Sequence, residues 1–307
     1  MEFISLRSGE AFAPTDCGLC LGNFDGVHKG HRALVDLLFS LTSEKKMKLP
    51  LGALLFRTPP ACALGLDAPQ LTDNAEKMRL LRLAGLQFAV FLDFDAVRAL
   101  SPADFIHRVL FDACRCRAAV CGFNYTFGKD GAGTPELLAA AFENDPTRAL
   151  GILPPVTDGK NVISSSAVRR YLEAGHPEDA ARMLGRPFSL IGTVQSGKGQ
   201  GHAMGYPTAN ISIRNGGVIP AHGVYLCTVD AGRREYYGIC NIGTRPTFAD
   251  GEAINCETFL FDFAGDLYGK KIRVSLLRFL RAEQKFASID DLRKQISLDI
   301  EHARIYI

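Results

Sequence analysis

Two stretches of this chain concentrate side chains suited to handling phosphate. In the first, Gly22, Asn23, Asp25, Gly26, His28, Gly30 and His31 fall close together. Glycines let backbone approach a phosphate closely, and a helix starting just beyond offers free N–H groups and the positive end of its dipole. His28 and His31, three apart, can face one ligand and stabilise charge building on a phosphate under attack. No covalent nucleophile is needed for that chemistry. A pair so spaced on a helix also suits a metal, although no third ligand stands out, and a plain turn with two surface histidines is the bland account. In the second stretch, Gly197, Lys198 and Gly201 belong to a glycine-rich run whose N–H groups can wrap phosphates. It is no Walker A loop, because no G-K-[ST] follows at the required spacing. Thr208 and Asn210 alternate on an extended segment. Their hydroxyl and amide oxygens can therefore meet one Mg²⁺–nucleotide, or the Mn²⁺ equivalent, since hard oxygens suit such ions. A tight turn at Pro207 with an asparagine cap competes with that reading.

The elements that must position these residues change character along the chain. Apolar runs at 17–21, 51–56, 88–91 and 118–123 read as buried strands, and amphipathic stretches lie between them. Ser101-Pro102-Ala103-Asp104 and Thr134-Pro135-Glu136 are helix starts, with a hydroxyl cap, proline at the first position and a nearby acid. Such alternation predicts a parallel sheet with helices on both faces. Two short helices, 165–174 and 177–184, close this part, with Gly175 and Gly185 as C-terminal caps. Beyond Gly185 strands dominate, at 189–194, 224–229, 236–242, 253–263 and 271–280, and Asp230-Ala231-Gly232 reads as a hairpin turn. They predict a small antiparallel β-barrel, followed by a helix from Ser288 with Leu292, Ile296 and Ile300 on one face. The expected domains are 1–184 and 185–307.

Composition narrows the function classes. The chain has 307 residues, 47% hydrophobic and 22% charged, as in globular proteins with sizeable cores. Residues 185–307 hold 15 basic and 12 acidic residues, net +3, and the rest 20 and 21, net −1. Neither part has the basic excess of a nucleic-acid binder. No membrane-length apolar run and no signal-like N-terminus are present, so no membrane partner and a cytoplasmic location are expected. Nine cysteines are spaced irregularly, and the lone Cys17–Cys20 pair reads as packing in a buried strand rather than as zinc ligands. Oligomeric state leaves no mark in the sequence.

The motifs resemble known enzymes. Gly22-Asn23-Phe24-Asp25-Gly26-Val27-His28-Lys29-Gly30-His31 after a strand resembles the FMN adenylyltransferase domain of prokaryotic FAD synthetases, a Rossmann-like nucleotidyltransferase fold. Gly122–Gly128 resembles that family's flavin- and nucleotide-side loop, with Asn124 at its polar position. The segment from Ile163 through Ser164, Ser165, Ser166 and Arg169 resembles its phosphate-binding I-S-S-T-x-I-R motif, though helix capping also explains a serine there. Two departures stand out. A Pro-His-Pro usual after the second strand is replaced by Phe56-Arg57-Thr58-Pro59-Pro60, and an arginine usual before Ala-Gly by Lys129-Asp130-Gly131. Arg57 or Lys129 are the candidates to supply the missing charge.

Gly205-Tyr206-Pro207-Thr208-Ala209-Asn210 is similar to the riboflavin kinase signature, and Asn241–Phe248, Leu267-Tyr268-Gly269 and Arg281–Phe286 resemble further segments of that family. The resemblance implies Glu257 as catalytic base. Asp262 is the rival carboxylate, expected on the opposite strand face. It also suggests Arg281 and Phe286 as flavin contacts, a salt bridge and a core aromatic being equally good readings. Together the two resemblances imply phosphorylation of riboflavin to FMN and adenylylation of FMN to FAD, with ATP as co-substrate in both. The alternatives are a riboflavin kinase whose N-terminal domain has lost or changed activity, and a flavin- or nucleotide-sensing protein without turnover.

Overall fold

The computed structural model describes residues 1–8, 10–12, 15–66, 68–195, 206, 208–213, 215–232, 234–245 and 253–307. Contacts divide the chain into two compact units, Met1–Ser165 and Ser166–Ile307. The division falls ahead of the two short helices that the sequence reading groups with the first domain.

The first unit is built on a six-stranded sheet: β1 (Glu2–Ser5), β2 (Cys17–Leu21), β3 (Leu51–Phe56), β4 (Phe88–Leu92), β5 (Cys116–Gly122) and β6 (Ala149–Leu153). Its order is β1-β4-β3-β2-β5-β6. β1 pairs antiparallel with β4 and the other pairings are parallel. The central strands are buried on both faces, so they read as unbroken apolar runs. Cys17, Leu19 and Leu21 enter one core layer, with Phe105, Ile106, Leu110, Leu138 and Phe142. Cys20 enters the other, with Leu34, Val35, Leu38, Leu80 and Leu81. Helices α1 (Lys29–Glu44), α2 (Pro60–Ala63), α3 (Asn74–Leu83), α4 (Phe94–Val97), α5 (Pro102–Asp104) and α6 (Pro135–Glu143) connect the strands. Ser101 caps α5 as expected, its hydroxyl accepting from the Asp104 N–H at 3.0 Å, and the chain continues as a π-helical segment, Phe105–Ala113. Of the two edge strands, β1 carries only two apolar residues, whereas β6, Ala149-Leu150-Gly151-Ile152-Leu153, is an apolar run that is only partly buried.

From β2 the chain crosses to β3 on one side, and later returns to β5 on the other. The gap above the carboxyl ends of β2 and β5 is therefore the topological switch point, where open α/β sheets bind ligands.

A short antiparallel ribbon, β7 (Thr157–Asp158) and β8 (Asn161–Val162), leads to the division, where α7 (Ser165–Glu173) begins and α8 (Pro177–Leu184) follows. Gly185 ends α8 in the left-handed region, φ 75°, its N–H bonded to Ala181 O at 2.8 Å. The remaining strands are β9 (Phe188–Thr193), β10 (Thr208–Ser212), β11 (Gly223–Asp230), β12 (Glu235–Arg245), β13 (Ala253–Leu260) and β14 (Lys271–Ala282), and α9 (Ile289–Arg304) ends the chain. They form one antiparallel sheet in the order β10-β13-β12-β11-β14-β9. It curls until its edges meet in a bridge between Gln195 and Asn210, the expected barrel. Asp230-Ala231-Gly232 makes the β11–β12 connection, with Gly232 at φ 92°. The apolar side of α9, Ile296, Ile300 and Ala303, packs on Val224, Leu226, Ile239 and Phe261.

Candidate active sites

The turn after β2 is held in costly backbone conformations. Phe24, Gly26 and Val27 have φ of 53°, 79° and 42°. For a β-branched valine that region is a clear outlier, sustained only when the surroundings over-determine it. Here Phe24 and Val27 are buried in the core, and Gly26 N–H bonds Thr72 Oγ1 at 3.0 Å. The buried Asp25 carboxylate accepts from the N–H groups of Leu71, at 3.0 Å, and Thr72, at 3.1 Å, pinning a neighbouring loop. In the structure these contacts make Asp25 a loop anchor.

His28 caps α1, and its Nδ1 accepts from the His31 N–H at 3.3 Å. An accepting Nδ1 puts the ring proton on Nε2, so the neutral ring keeps one donor. The two imidazoles stack with centroids 3.6 Å apart, and Phe24 lies against His31 at 4.8 Å. Gly30 permits this: a Cβ there would come within 3.2 Å of the His28 ring. Asn23 Oδ1 is buried without a hydrogen-bond partner. Ser165 joins the site, its hydroxyl donating to the carbonyl of Asp25 at 2.8 Å. Ser164 precedes it; Ser166 follows in the first turn of α7 and Arg169 begins the second, both within the second unit.

The same unit holds an aromatic cavity of about 610 Å³, lined among others by Phe56, Val97, Phe105, Tyr125, Phe127 and Gly128, with no residue of the Gly22–His31 turn in its lining. Its walls come from the carboxyl ends of β3 and β5. Asn124 sits in the same loop but is exposed and outside the lining. Arg57 pairs with Glu2 and lies over the Phe91 ring at 5.2 Å. Lys129 stays exposed on the loop rim. Of this lining, Tyr125 and Phe127 lie in the Gly122–Gly128 loop that the resemblance singles out, whereas Phe56 and Phe105 end a strand or follow a helix start, where apolar residues ordinarily count as core.

In the second unit, ladder register aligns the site. Asn210 on β10 stands opposite Glu257 on β13, Glu257 opposite Asn241 on β12, Asn241 opposite Val224 on β11, and Val224 opposite Arg281 on β14. Directly opposed residues share a sheet face, so one row runs across five strands. Thr208, Asn241, Glu257, Arg281, Glu283 and Phe286 line a cavity of about 560 Å³. Of these, Thr208, Glu257, Arg281 and Phe286 are sequence-predicted site residues, here brought together; Glu257 is exposed on the cavity wall. Asn210 is buried beside the cavity rather than in its lining; its Oδ1 accepts from Asn255 Nδ2 at 2.9 Å. Arg281 makes the salt bridge, at 2.7 Å to Asp299. Asp262 leaves the contest for a different reason than expected: β13 ends at Leu260, and Asp262 sits in the turn beyond, at φ 55°. Gly197, Lys198 and Gly201 lie outside the described residues.

Cys17 and Cys20 point into opposite core layers. Burial pushes the Cys17 thiol up to about 12 and Cys20 higher still. Both are packing residues.

The riboflavin kinase family model matches residues 184–307, and the FAD synthetase model residues 11–167. A curated relative from Bacillus subtilis, described as bifunctional riboflavin kinase/FMN adenylyltransferase, is 33% identical over 294 residues, covering 94% of this chain and 92% of its own. One of the same description from Escherichia coli is 38% identical over 298 residues, with the same coverage. A crystal structure from Streptococcus pneumoniae, described as a macrolide-efflux protein, is 33% identical with TM-score 0.85, covering 98% of this chain and 97% of that one. Among the described residues here, no helix is long and apolar enough to cross a membrane. Matches to both halves favour two activities over a kinase alone. With both halves matched, one in residues 11–167 and the other in 184–307, the chain belongs to the family of bifunctional riboflavin kinase/FMN adenylyltransferases.

Proposed function

We propose that the two cavities divide the two reactions of this family, with residues 1–184 transferring AMP and residues 185–307 transferring phosphate, in the cytoplasm. Phosphoryl transfer from ATP to riboflavin needs an acceptor for the proton of the ribityl 5′-hydroxyl as that oxygen attacks the γ-phosphate. Glu257 takes that proton. The observation that carries this assignment is the row Asn210–Glu257–Asn241, which sets the carboxylate on the wall of a cavity that also holds Thr208, Arg281 and Phe286. Thr208 and Asn210 present hard neutral oxygens, and one lone pair of the Asn210 amide oxygen is already committed to Asn255. Such a donor set fits Mg²⁺ completed by water and phosphate oxygens. When bound, the ion neutralises charge on the phosphates of ATP.

In adenylyl transfer an oxygen of the FMN phosphate attacks the α-phosphate of ATP, and pyrophosphate leaves. His28 Nε2–H and His31 stabilise the charge that builds at the α-phosphate. The Gly22–Gly30 backbone, Ser164 and Ser165 hold the phosphates. The aromatic cavity between Phe56 and Phe127 takes the flavin ring, an apolar plane that such walls stack well.

The test uses the full chain with riboflavin, ATP and Mg²⁺, products being separated over time. Glu257→Gln stops FMN formation and leaves conversion of added FMN to FAD. His28→Ala or His31→Ala does the converse. Loss of both steps in either variant would refute separate sites.

A further inference from the structure

The helix that walls the kinase cavity is held by a buried ion pair whose geometry is more specific than stability requires. Arg281 Nε lies 2.8 Å from Asp299 Oδ1, its Nη2 2.7 Å from Asp299 Oδ2, and its Nη1 donates to Ala282 O at 3.0 Å. The Asp299 side chain is only 5% exposed. Its Oδ1 also accepts from Gln295 Nε2 at 2.9 Å, one turn earlier on α9. A neutral tie lies two residues away, Tyr206 OH to Ser297 Oγ at 3.0 Å. Leu292 and Ile296 of the same helix line the cavity with Arg281 and Asp299.

Apolar side chains of similar volume would hold a helix against a sheet as well as a buried ion pair does; what the pair adds is fixed geometry. A bidentate fork sets the rotation of α9 about its axis as well as its distance. These bonds commit three of the five guanidinium N–H donors, the Nε–Nη2 fork to Asp299 and one Nη1–H to Ala282 O. We infer that Asp299 is a positioning residue of the kinase reaction: it holds Arg281 in the cavity wall and sets Leu292 and Ile296 of α9 at the edge of the flavin's place. This inference rests on reading the cavity as the riboflavin site.

The experiment measures riboflavin KM and kcat for FMN formation in the full chain, with FMN-to-FAD conversion as an internal measure of folded enzyme. Asp299→Asn raises riboflavin KM about tenfold and changes kcat less than about threefold, the pattern of lost ground-state positioning. Arg281→Lys, which keeps the charge and loses the fork, follows it. Tyr206→Phe leaves no buried charge unpaired, so it reports even where Asp299→Asn fails to fold, and it raises KM by a smaller factor. Unaltered riboflavin KM in Tyr206→Phe and in folded Asp299→Asn overturns the inference, as does a fall in kcat that merely tracks the folded fraction. Glu257→Gln separates the two levels. FMN formation that survives it removes the cavity assignment itself; FMN formation lost there, with Asp299→Asn unaltered, removes only the role of Asp299.

Discussion

The two sites are built in opposite ways. In the first unit the chemistry sits on one strand–turn–helix: ten consecutive residues carry the histidines, the glycines and the backbone strain at Phe24 and Val27. In the second, equivalent work is spread over β10, β12, β13 and β14 and aligned by hydrogen-bond register. A contiguous site depends on local conformation, so small backbone changes reach it directly. A site laid across a ladder depends on pairing, and a single side chain there can be exchanged with little effect on its neighbours' positions.

Glu257→Gln is the largest expected effect. It removes the proton acceptor but not the strand, so FMN formation falls roughly 10²–10⁴-fold while FAD formation from FMN persists, read by chromatography of both products. His31→Ala should lower adenylyl transfer about 10²–10³-fold, the loss expected of one charge-stabilising donor, with the riboflavin kinase rate kept. If either variant lost both activities, the contrast between two independent constructions would collapse.

Paired glycine substitutions sharpen it. At Gly243 a Cβ would meet the Glu283 carboxylate at 2.0 Å, displacing it from the Asn241 amide that it accepts from at 3.0 Å. Gly243→Ala should therefore raise riboflavin KM and leave the adenylyltransferase alone. Gly30→Ala crowds the His28 ring by a few tenths of an ångström and should slow adenylyl transfer about tenfold, because displaced groups of that kind cost rate steeply. Equal effects of Gly30→Ala on both reactions would contradict its local role.

The smallest effect concerns acid. Hydrogen bonds from Arg115 and Arg117 hold the Asp16 carboxyl below its usual range, and Thr147 and then Arg148 do the same for Asp145. A depressed folded pKa contributes stability above the unfolded value of about 4 and loses it as pH falls through the folded value. Both pairs are solvent-exposed, so the loss is modest. Thermal melts of the first unit's transition below about pH 4 should decline less steeply in Asp145→Asn than in the unaltered protein.

Much of this was legible in the linear chain. The central strands β2, β3 and β4 and the caps at Ser101, Gly185 and Ser288 stand where periodicity and local chemistry put them, because apolar runs and caps act over a few residues; Thr134 takes the N-cap position of α6, but its hydroxyl makes no cap hydrogen bond. The turn from Gly22 to His31 was readable for the same reason. Edge strand β1 was not, since Glu2-Phe3-Ile4-Ser5 carries only two apolar residues, and β6 was not because a five-residue apolar run does not by itself tell a strand from a buried helix segment. Nor was the place of Asp262, because where a strand yields to a turn depends on its neighbours.

By itself, then, the sequence determined the two fold classes and the family of each half, both encoded in residue type and short-range order. Tertiary structure alone decided that Asn210, Glu257 and Asn241 fall in one row, that Asp25 anchors a loop, that Phe56, Tyr125 and Phe127 enclose a cavity, and that Arg281 is bound to Asp299. These depend on register and long-range packing, where residues far apart in the chain meet. The shared physical reason is range: caps and periodicity act within a turn or two of backbone, whereas a binding wall is made only when separate elements close on it.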